Sequence, residues 1–213
     1  MLTVCCMLWI SNDWSKPFSR DYDEEWVNRL FRGCQRNLSR PFRFVCITDR
    51  KRIFVEGVDQ ELMISAIGRV PWFGCLIEPF RLNVPMLFAG LDTVIVGNLD
   101  QMAAYCLSET QIALPRDLYT PTRSCNGIAL VPAGHKWVWD QWLEAGANEN
   151  DMTWLRRFPN AWVDDLFPGN AVSYRWIENF NNGKLDDVRV VYMAGRPKMN
   201  QLTHLDWIKA HWR

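Results

Sequence analysis

Short apolar runs rich in β-branched and aromatic residues alternate along the chain with segments of helical periodicity. The runs are typical of buried strands and cover Leu2–Ile10, Phe42–Thr48, Pro85–Leu91, Thr93–Val96, Gly127–Pro132 and Val188–Met193. Helical spacing of apolar residues marks Asp21–Asn37 and Lys136–Ala145. Because strands that alternate with helices build a sheet covered on both faces, the sequence predicts an α/β fold with a mostly parallel central sheet flanked by helices.

Three further segments are predicted from the same pattern. Pro115–Cys125 and Phe158–Val172 combine proline, glycine and asparagine and are predicted to be long surface loops. The last residues place one apolar stripe on a helix with basic residues near its end, and the stripe consists of Leu202, Leu205, Ile208 and Trp212. The stripe favours packing on the parent domain, and weak contact of this basic aromatic helix with a membrane surface is the alternative.

Length and charge narrow the class of protein. A chain of 213 residues fits a single domain over 1–213. Its 24 basic and 24 acidic residues cancel, so the sequence lacks the clustered positive charge that nucleic-acid binding needs. The apolar start lacks the features of a signal peptide, and no segment is long enough to span a bilayer. We therefore expect a cytoplasmic protein without nucleic-acid partners.

Cysteine and tryptophan usage adds two expectations. The seven cysteines are scattered without the spacing of a zinc site or a disulfide framework, which indicates reduced and mostly buried thiols. Twelve tryptophans are many for this length. Some are expected to line a cleft, since the flat indole ring suits stacking on a sugar or a base, while core packing is the alternative for each one.

One carboxylate interrupts the apolar stretch that runs from Met86 to Val96. Asp92 stands at the end of a predicted interior strand, where an acid is costly to desolvate unless it meets a cation, a donor or an open cleft. In α/β folds the carboxyl edge of the sheet is where ligands bind. Asp92 is therefore the first candidate for a functional site, and the alternative is an Asp that only caps a turn.

Several classes of enzyme are not supported, because their sequence motifs are absent. The sequence contains no G-x-G-x-x-G, no G-x-x-x-x-G-K-S/T and no G-x-S-x-G, so dinucleotide, P-loop and α/β-hydrolase chemistry lack support. The histidines are His135, His204 and His211. Because two of them lie in the terminal helix, a histidine-based triad or metal site is disfavoured.

Five segments in order carry a resemblance to a known family. They are Tyr22–Leu30, Arg36–Asp49 ending in Thr-Asp, Leu91–Asp100 with Leu-Asp-Thr, Asn126–Gly134, and Val190–Lys198 with Gly-Arg-Pro-Lys. With these segments the chain resembles nucleotide-sugar-dependent glycosyltransferases of the GT-A type, nearest to family 8 and its small bacterial and phage relatives. The resemblance covers most of the chain, and its motifs are specific in combination.

The resemblance implies a GT-A fold and a function. About 1–100 would bind the nucleotide-sugar donor, and about 101–213 would hold an unidentified acceptor and end in the C-terminal helix. The implied reaction transfers the sugar with retention of its anomeric configuration. A second hypothesis is a catalytically silent relative that binds a glycan or a nucleotide as an accessory protein. A third is an unrelated α/β domain, which we expect to lack a cleft at the strand ends.

The resemblance also implies a divalent metal, Mn²⁺ or Mg²⁺, held through oxygen ligands beside the donor diphosphate. Its three ligand positions fall on Gly90, Asp92 and Ala194, so Asp92 alone keeps a ligating side chain. Completion of the metal shell by Asp100, by a water or by the donor phosphates is one alternative, and replacement of the cation by Lys198 with Arg196 is another.

The other implied site residues follow by position. Asp151 falls on a Gly-Asp-Gln motif beside the reacting sugar and is the candidate catalytic residue, although Met152 replaces the glutamine. Lys198 matches a lysine that reaches the donor phosphates. Further candidates for donor binding are Asp92, Thr93, Arg123 and Asn126, and a lysine that relatives often carry falls on Cys75 or is absent. For Lys198, Arg123 and Asn126 the alternative is a solvated loop residue or a turn former.

Overall fold

The computed structural model describes residues 1–15, 17–180 and 183–213. The strands are β1 (Leu2–Leu8), β2 (Phe42–Thr48), β3 (Val58–Leu62), β4 (Met86–Ala89), β5 (Thr93–Ile95), β6 (Ala113–Leu114), β7 (Ile128–Val131), β8 (Ala161–Trp162), β9 (Ala171–Ser173) and β10 (Val190–Tyr192). The α-helices are α1 (Glu24–Asn37), α2 (Asp100–Ser108), α3 (Lys136–Glu144), α4 (Asp151–Leu155), α5 (Val163–Leu166), α6 (Tyr174–Phe180) and α7 (Asp206–His211). Short 3₁₀ helices cover Pro17–Asp21, Phe73–Leu82 and Met199–Gln201.

The strands form a large and a small sheet. The large sheet has the order β3-β2-β1-β4-β7-β6-β8, in which β3, β2, β1 and β4 are parallel neighbours. β7 runs antiparallel to both β4 and β6, and β8 is parallel to β6. The small sheet has the order β5-β10-β9. The predicted α/β class with a mostly parallel central sheet is confirmed.

Alternate residues of the central strands point to opposite faces, and each face is buried. On β1, Val4 and Cys6 belong to one core, whereas Cys5 and Met7 belong to the other. Helices α1, α2 and α7 contribute to the first core together with the small sheet. The 3₁₀ helix Phe73–Leu82 and helices α3 and α4 contribute to the second core. The near-continuous apolar strands of the sequence are therefore explained by burial on both sides.

Helix α1 shows how local sequence sets an element's limits. Asp23 is the N-cap, and its carboxylate accepts hydrogen bonds from the backbone N–H groups of Glu25 and Trp26. The helix begins at Glu24 and ends at Asn37, so the predicted end is confirmed and the start lies three residues after the predicted Asp21. Its acidic first turn also suits the positive end of the helix dipole.

The two predicted loops have different outcomes. Pro115–Cys125 contains no regular element beyond an isolated bridge between Arg116 and Ser124, as expected of a loop. The prediction for Phe158–Val172 is wrong, because this segment contains β8, α5 and the first residues of β9. These elements are two to four residues long, too short to show a period, and the tertiary pairing of β8 with β6 and of β9 with β10 forms them.

The C-terminal helix is shorter than predicted, because α7 covers only Asp206–His211 and a 3₁₀ helix precedes it. Its apolar stripe packs on the first core, with Ile208 and Trp212 buried. Arg36 of α1 donates a hydrogen bond to the His211 carbonyl at 2.7 Å. Packing on the domain is thus confirmed, and membrane contact of the helix stays a prediction. Within the described ranges, no helix has the length and apolar character needed to cross a membrane.

All seven cysteines are free thiols, and six of them are buried. Only Cys125 is half-buried, and it lines the cavity described below. The expectation of reduced, mostly buried cysteines is confirmed.

Candidate functional site

A cavity of about 520 Å³, here called the central cavity, opens at the carboxyl edge of the parallel strands. β1 and β4 run side by side in the same direction, so Leu8 at the end of β1 and Gly90 just after β4 meet there. Asp151 at the start of α4 and Met193 just after β10 also line the cavity. This is the edge at which α/β folds bind ligands. The expectation of the third hypothesis, a domain without such a cleft, is not met.

Asp92 and Lys198 form an ion pair in the wall of this cavity. Asp92 lies between β4 and β5, and its backbone carbonyl accepts from the Met193 N–H at 3.0 Å. The Lys198 Nζ donates to Asp92 Oδ2 and also to the Met193 carbonyl oxygen at 2.8 Å. The lysine is completely buried, whereas 24% of the Asp92 side chain is exposed. A buried ammonium needs such a partner, since it is costly to desolvate alone.

Tyr22 and Gly90 adjoin the same carboxylate. Burial and the negative charge of Asp92 raise the pKa of Tyr22, while the positive charge of Arg196 lowers it. A Cβ atom on Gly90 would lie 2.7 Å from Asp92 Oδ1. The Asp92 carboxylate therefore occupies the space in which a side chain at position 90 would begin.

Asp151 is the second carboxylate of the cavity and is 4% exposed. It is the first residue of α4, whose N-cap Asn150 accepts from the Thr153 N–H at 2.9 Å. Burial raises the pKa of Asp151 to about 6, although hydrogen bonds from the Met152 N–H and the Asn126 side chain act in the opposite direction. Asn126 Nδ2 donates to Asp151 Oδ2. A carboxyl with this pKa changes its charge close to neutral pH.

The structure brings four of the predicted site residues to the central cavity and leaves two outside it. Asp92, Asn126, Asp151 and Lys198 line the cavity. Thr93 is buried in β5, where its hydroxyl lies 3.4 Å from the Gly127 carbonyl oxygen. Arg123 is exposed and lines a smaller cleft of about 290 Å³ beside Arg156 and Trp162. The roles of Thr93 and Arg123 in donor binding stay predictions.

Several residues that line the cavity were not predicted individually from the sequence. Trp9, Asp117 and Tyr192 line the central cavity. Because Trp9 lines the cavity, one tryptophan lies at a cleft as expected. Its indole N–H donates to the Ser15 hydroxyl at 3.1 Å. Asp117 accepts from the backbone N–H groups of Tyr119 and Thr120, which is an Asx turn that a loop sequence suggests. No local signal indicates that this turn reaches the cavity.

The residues present do not fit the divalent metal that the resemblance implies. Gly90 and Ala194 have no ligating atoms in their side chains, and the Asp92 carboxylate is bound by the Lys198 ammonium. Among the described residues, no group of three histidine, cysteine, aspartate or glutamate side chains is placed to hold a metal ion. Asp100 does not supply the missing ligand, because it accepts hydrogen bonds from the Ser39 N–H and hydroxyl and does not line the cavity.

Comparison with known proteins yields matches to solved structures only. No family profile and no curated protein matches the sequence. The galactosyltransferase LgtC, solved in complex with donor and acceptor sugar analogues, is similar with a TM-score of 0.61 and 9% identity over 99% of this chain and 96% of LgtC. The glycosyltransferase GlyE of Streptococcus pneumoniae TIGR4 is similar with a TM-score of 0.58 and 13% identity, over 96% of this chain and 60% of GlyE.

A further match is the bifunctional glycosyltransferase WbbM, with a TM-score of 0.53 and 12% identity over 93% of this chain and 46% of WbbM. These proteins are glycosyltransferases of the GT-A type. This chain has the GT-A fold. At identities this low the likeness concerns the fold, and activity has to be argued from the site.

Proposed function

We propose that this protein transfers a sugar from a nucleotide-sugar donor, bound in the central cavity, to an acceptor. The observation that carries the proposal is the convergence of Asp92, Asn126, Asp151 and Lys198 on one cavity. These residues come from separate segments, and the resemblance assigns Asp92, Asn126 and Lys198 to the donor and Asp151 to catalysis beside the reacting sugar. A volume of about 520 Å³ suits a small-molecule ligand. The fold shared with LgtC and GlyE supports the proposal.

The four converging polar residues and two aromatic residues of the cavity have proposed roles. Lys198 holds the diphosphate by its positive charge, and Asp92 accepts hydrogen bonds from ribose or sugar hydroxyls. Asp151 accepts a hydrogen bond from a hydroxyl of the donor sugar or of the acceptor, with Asn126 fixing its orientation. Trp9 and Tyr22 add aromatic surface that suits a base or a sugar ring.

The transfer itself exchanges one bond for another. The bond between the anomeric carbon and a diphosphate oxygen breaks, and a bond from that carbon to an acceptor hydroxyl oxygen forms. The proton of the hydroxyl passes to a basic oxygen, either that of the departing diphosphate or that of Asp151. With a pKa of about 6, Asp151 is ionised at neutral pH and still basic enough to accept a proton. Retention of the anomeric configuration is part of the proposal.

Nucleotide release from a panel of donors tests the function. UDP-glucose, UDP-galactose, UDP-N-acetylglucosamine and GDP-mannose are incubated with the purified chain, and free nucleoside diphosphate is measured. We expect slow hydrolysis of one donor and a loss of about 100-fold in Asp151→Asn. Lys209→Met is the matched control, because Lys209 is exposed on α7 and lies outside the cavity. Release that is equal in all three proteins would argue against the proposed site.

The silent relative is the second candidate function, and Met152 favours it. Met152 lines the cavity where the resemblance expects a glutamine, so a polar group beside the reacting sugar is replaced by a thioether. This candidate predicts that a nucleotide binds in the cavity while no donor is hydrolysed and no sugar is transferred. Binding measurements beside the release assay separate the two candidates.

A further inference from the structure

We propose that the Lys198 ammonium takes the place of a divalent metal ion in this site, so that donor binding needs no metal. In this arrangement Asp92 is a positioning residue that holds the lysine and is not a metal ligand. The inference rests on the proposed function, because it concerns how the same cavity holds a diphosphate. Three observations support it.

The first observation is the location of the ammonium group. Lys198 Nζ is bound between the Asp92 carboxylate and the carbonyl oxygen of Met193, the residue just before Ala194. Position 92 and position 194 are two of the implied metal positions, and the third, Gly90, directly adjoins Asp92 Oδ1. The ammonium therefore lies among the three positions from which a metal would be bound, on oxygen atoms of the kind that bind metals.

The second observation is the charge of the site. Asp92 and Lys198 form a neutral pair without a divalent ion. Gly90 supplies no second carboxylate that an added ion could use. If a divalent ion were added beside Lys198, two cations would share one carboxylate, which electrostatic repulsion disfavours.

The third observation is that the lysine is held in place. The Lys198 backbone N–H donates to the Gln201 side chain at 3.0 Å, at the start of the 3₁₀ helix Met199–Gln201. The side chain is completely buried and is anchored at its end by two oxygen atoms. A cation fixed before the ligand arrives loses little conformational entropy on binding, which is the advantage that a bound metal also offers.

A second cation lies near the rim of the cavity. Arg196 is exposed, and its charge acts on the hydroxyl of Tyr22, which lines the cavity. Within the described part of the chain, Arg196 takes part in no ion pair of its side chain. The guanidinium is thus available to approach a diphosphate from the solvent side, while Lys198 approaches it from the wall.

Calorimetric titration of the full chain with UDP, GDP and CMP, each in EDTA and again in Mn²⁺, tests the inference. We expect at least one nucleotide to bind in EDTA, with a dissociation constant that Mn²⁺ changes by less than about twofold. Mn²⁺ titrated alone is expected not to bind below about 1 mM. Binding that requires Mn²⁺ would overturn the inference and leave the proposed function intact. Absence of binding by every nucleotide under both conditions would overturn the proposed function as well.

Variants identify the cation. Lys198→Met is expected to weaken nucleotide binding in EDTA by about tenfold or more, without recovery in Mn²⁺. The single variant leaves Asp92 as a half-buried charge and could therefore fail to fold. The double variant Asp92→Asn with Lys198→Met removes both charges and serves as the folded alternative in that case. It is expected to show a loss of affinity at least as large. Lys209→Met is the control with unchanged affinity. Wild-type affinity of either cavity variant would overturn the role of Lys198.

Discussion

The buried carboxyl group of Asp151 allows a prediction about stability that does not depend on the ligand. Its pKa is about 6 in the folded protein, because burial disfavours the charged form, whereas its ordinary value is 3.8. Between these values the folded state holds a proton that the unfolded chain has released. The free energy of unfolding therefore falls as the pH rises through this window, and the loss is complete above the folded-state pKa.

The magnitude follows from the two pKa values. Their difference corresponds to a loss of about 3 kcal/mol at pH 8, of which about 1 kcal/mol is already present near pH 4.5. Asp151→Asn abolishes the ionisation, and its amide oxygen still accepts the hydrogen bond of Asn126. The stability of the variant relative to wild type should consequently be about 2 kcal/mol greater at pH 8 than near pH 4.5.

Urea denaturation followed by tryptophan fluorescence measures this difference at the two pH values. Comparing the variant with wild type at each pH cancels the contributions of all other titrating groups. Asp186→Asn is a matched control, because Asp186 is exposed and its charge change should have the same small effect at both pH values. If the relative stability of Asp151→Asn were the same at both pH values to within about 0.5 kcal/mol, the reasoning from burial would be refuted.

Three further changes have expected outcomes. Asp92→Asn removes the carboxylate that pairs with the buried Lys198 and should lower the free energy of unfolding by about 3 kcal/mol. Adding Lys198→Met should restore most of this stability in a urea double-mutant cycle, and additive losses would contradict the pairing. Glu78→Gln should lower the free energy of unfolding in urea by about 2 kcal/mol, because the buried carboxylate accepts hydrogen bonds from two backbone N–H groups just after β3. An unchanged free energy would show that these hydrogen bonds contribute little to stability. Gly127→Ala places a Cβ atom 2.5 Å from the Tyr192 ring and should lower the free energy of unfolding by about 1–3 kcal/mol in the same assay. Adding Tyr192→Leu should restore this stability, and a loss that persists in the double variant would show that the clash is not with Tyr192.

The elements that the sequence predicts well are those with many buried residues. β2 has the limits Phe42–Thr48 in both prediction and structure. Its mostly apolar run is typical of a strand that is buried on both faces of a sheet, so the run itself marks the strand. β3 was not predicted, since this edge strand, Val58–Leu62, is mostly polar and shows no clear alternation. Two-residue strands such as β8 depend on pairing with distant residues and leave no local pattern.

The site was predicted as a set of residues but not as an arrangement. The break in the apolar pattern at Asp92 identifies one position, and the resemblance adds Asn126, Asp151 and Lys198. The ion pair between Asp92 and Lys198 joins residues 106 positions apart in the chain. Periodicity and composition do not indicate which residues so far apart in sequence are close in space. The buried state of Lys198 was also missed, because a lysine in a loop motif is expected in solvent.

The junction between β4 and β5 consists only of Gly90, Leu91 and Asp92, yet it passes from the large sheet to the small one. Its last residue is tied to the strand opposite by the Met193 N–H, which continues the pairing of β10 with β5. Because the crossing is only three residues long, inserting or deleting one residue would move Asp92 away from Lys198. A side chain at position 90 would displace the Asp92 carboxylate, because its Cβ would lie 2.7 Å from Asp92 Oδ1, whereas a change in the length of the crossing would move the whole of Asp92. Length variation should accumulate in the loop at Pro115–Cys125, where no sheet pairing beyond one bridge fixes the spacing.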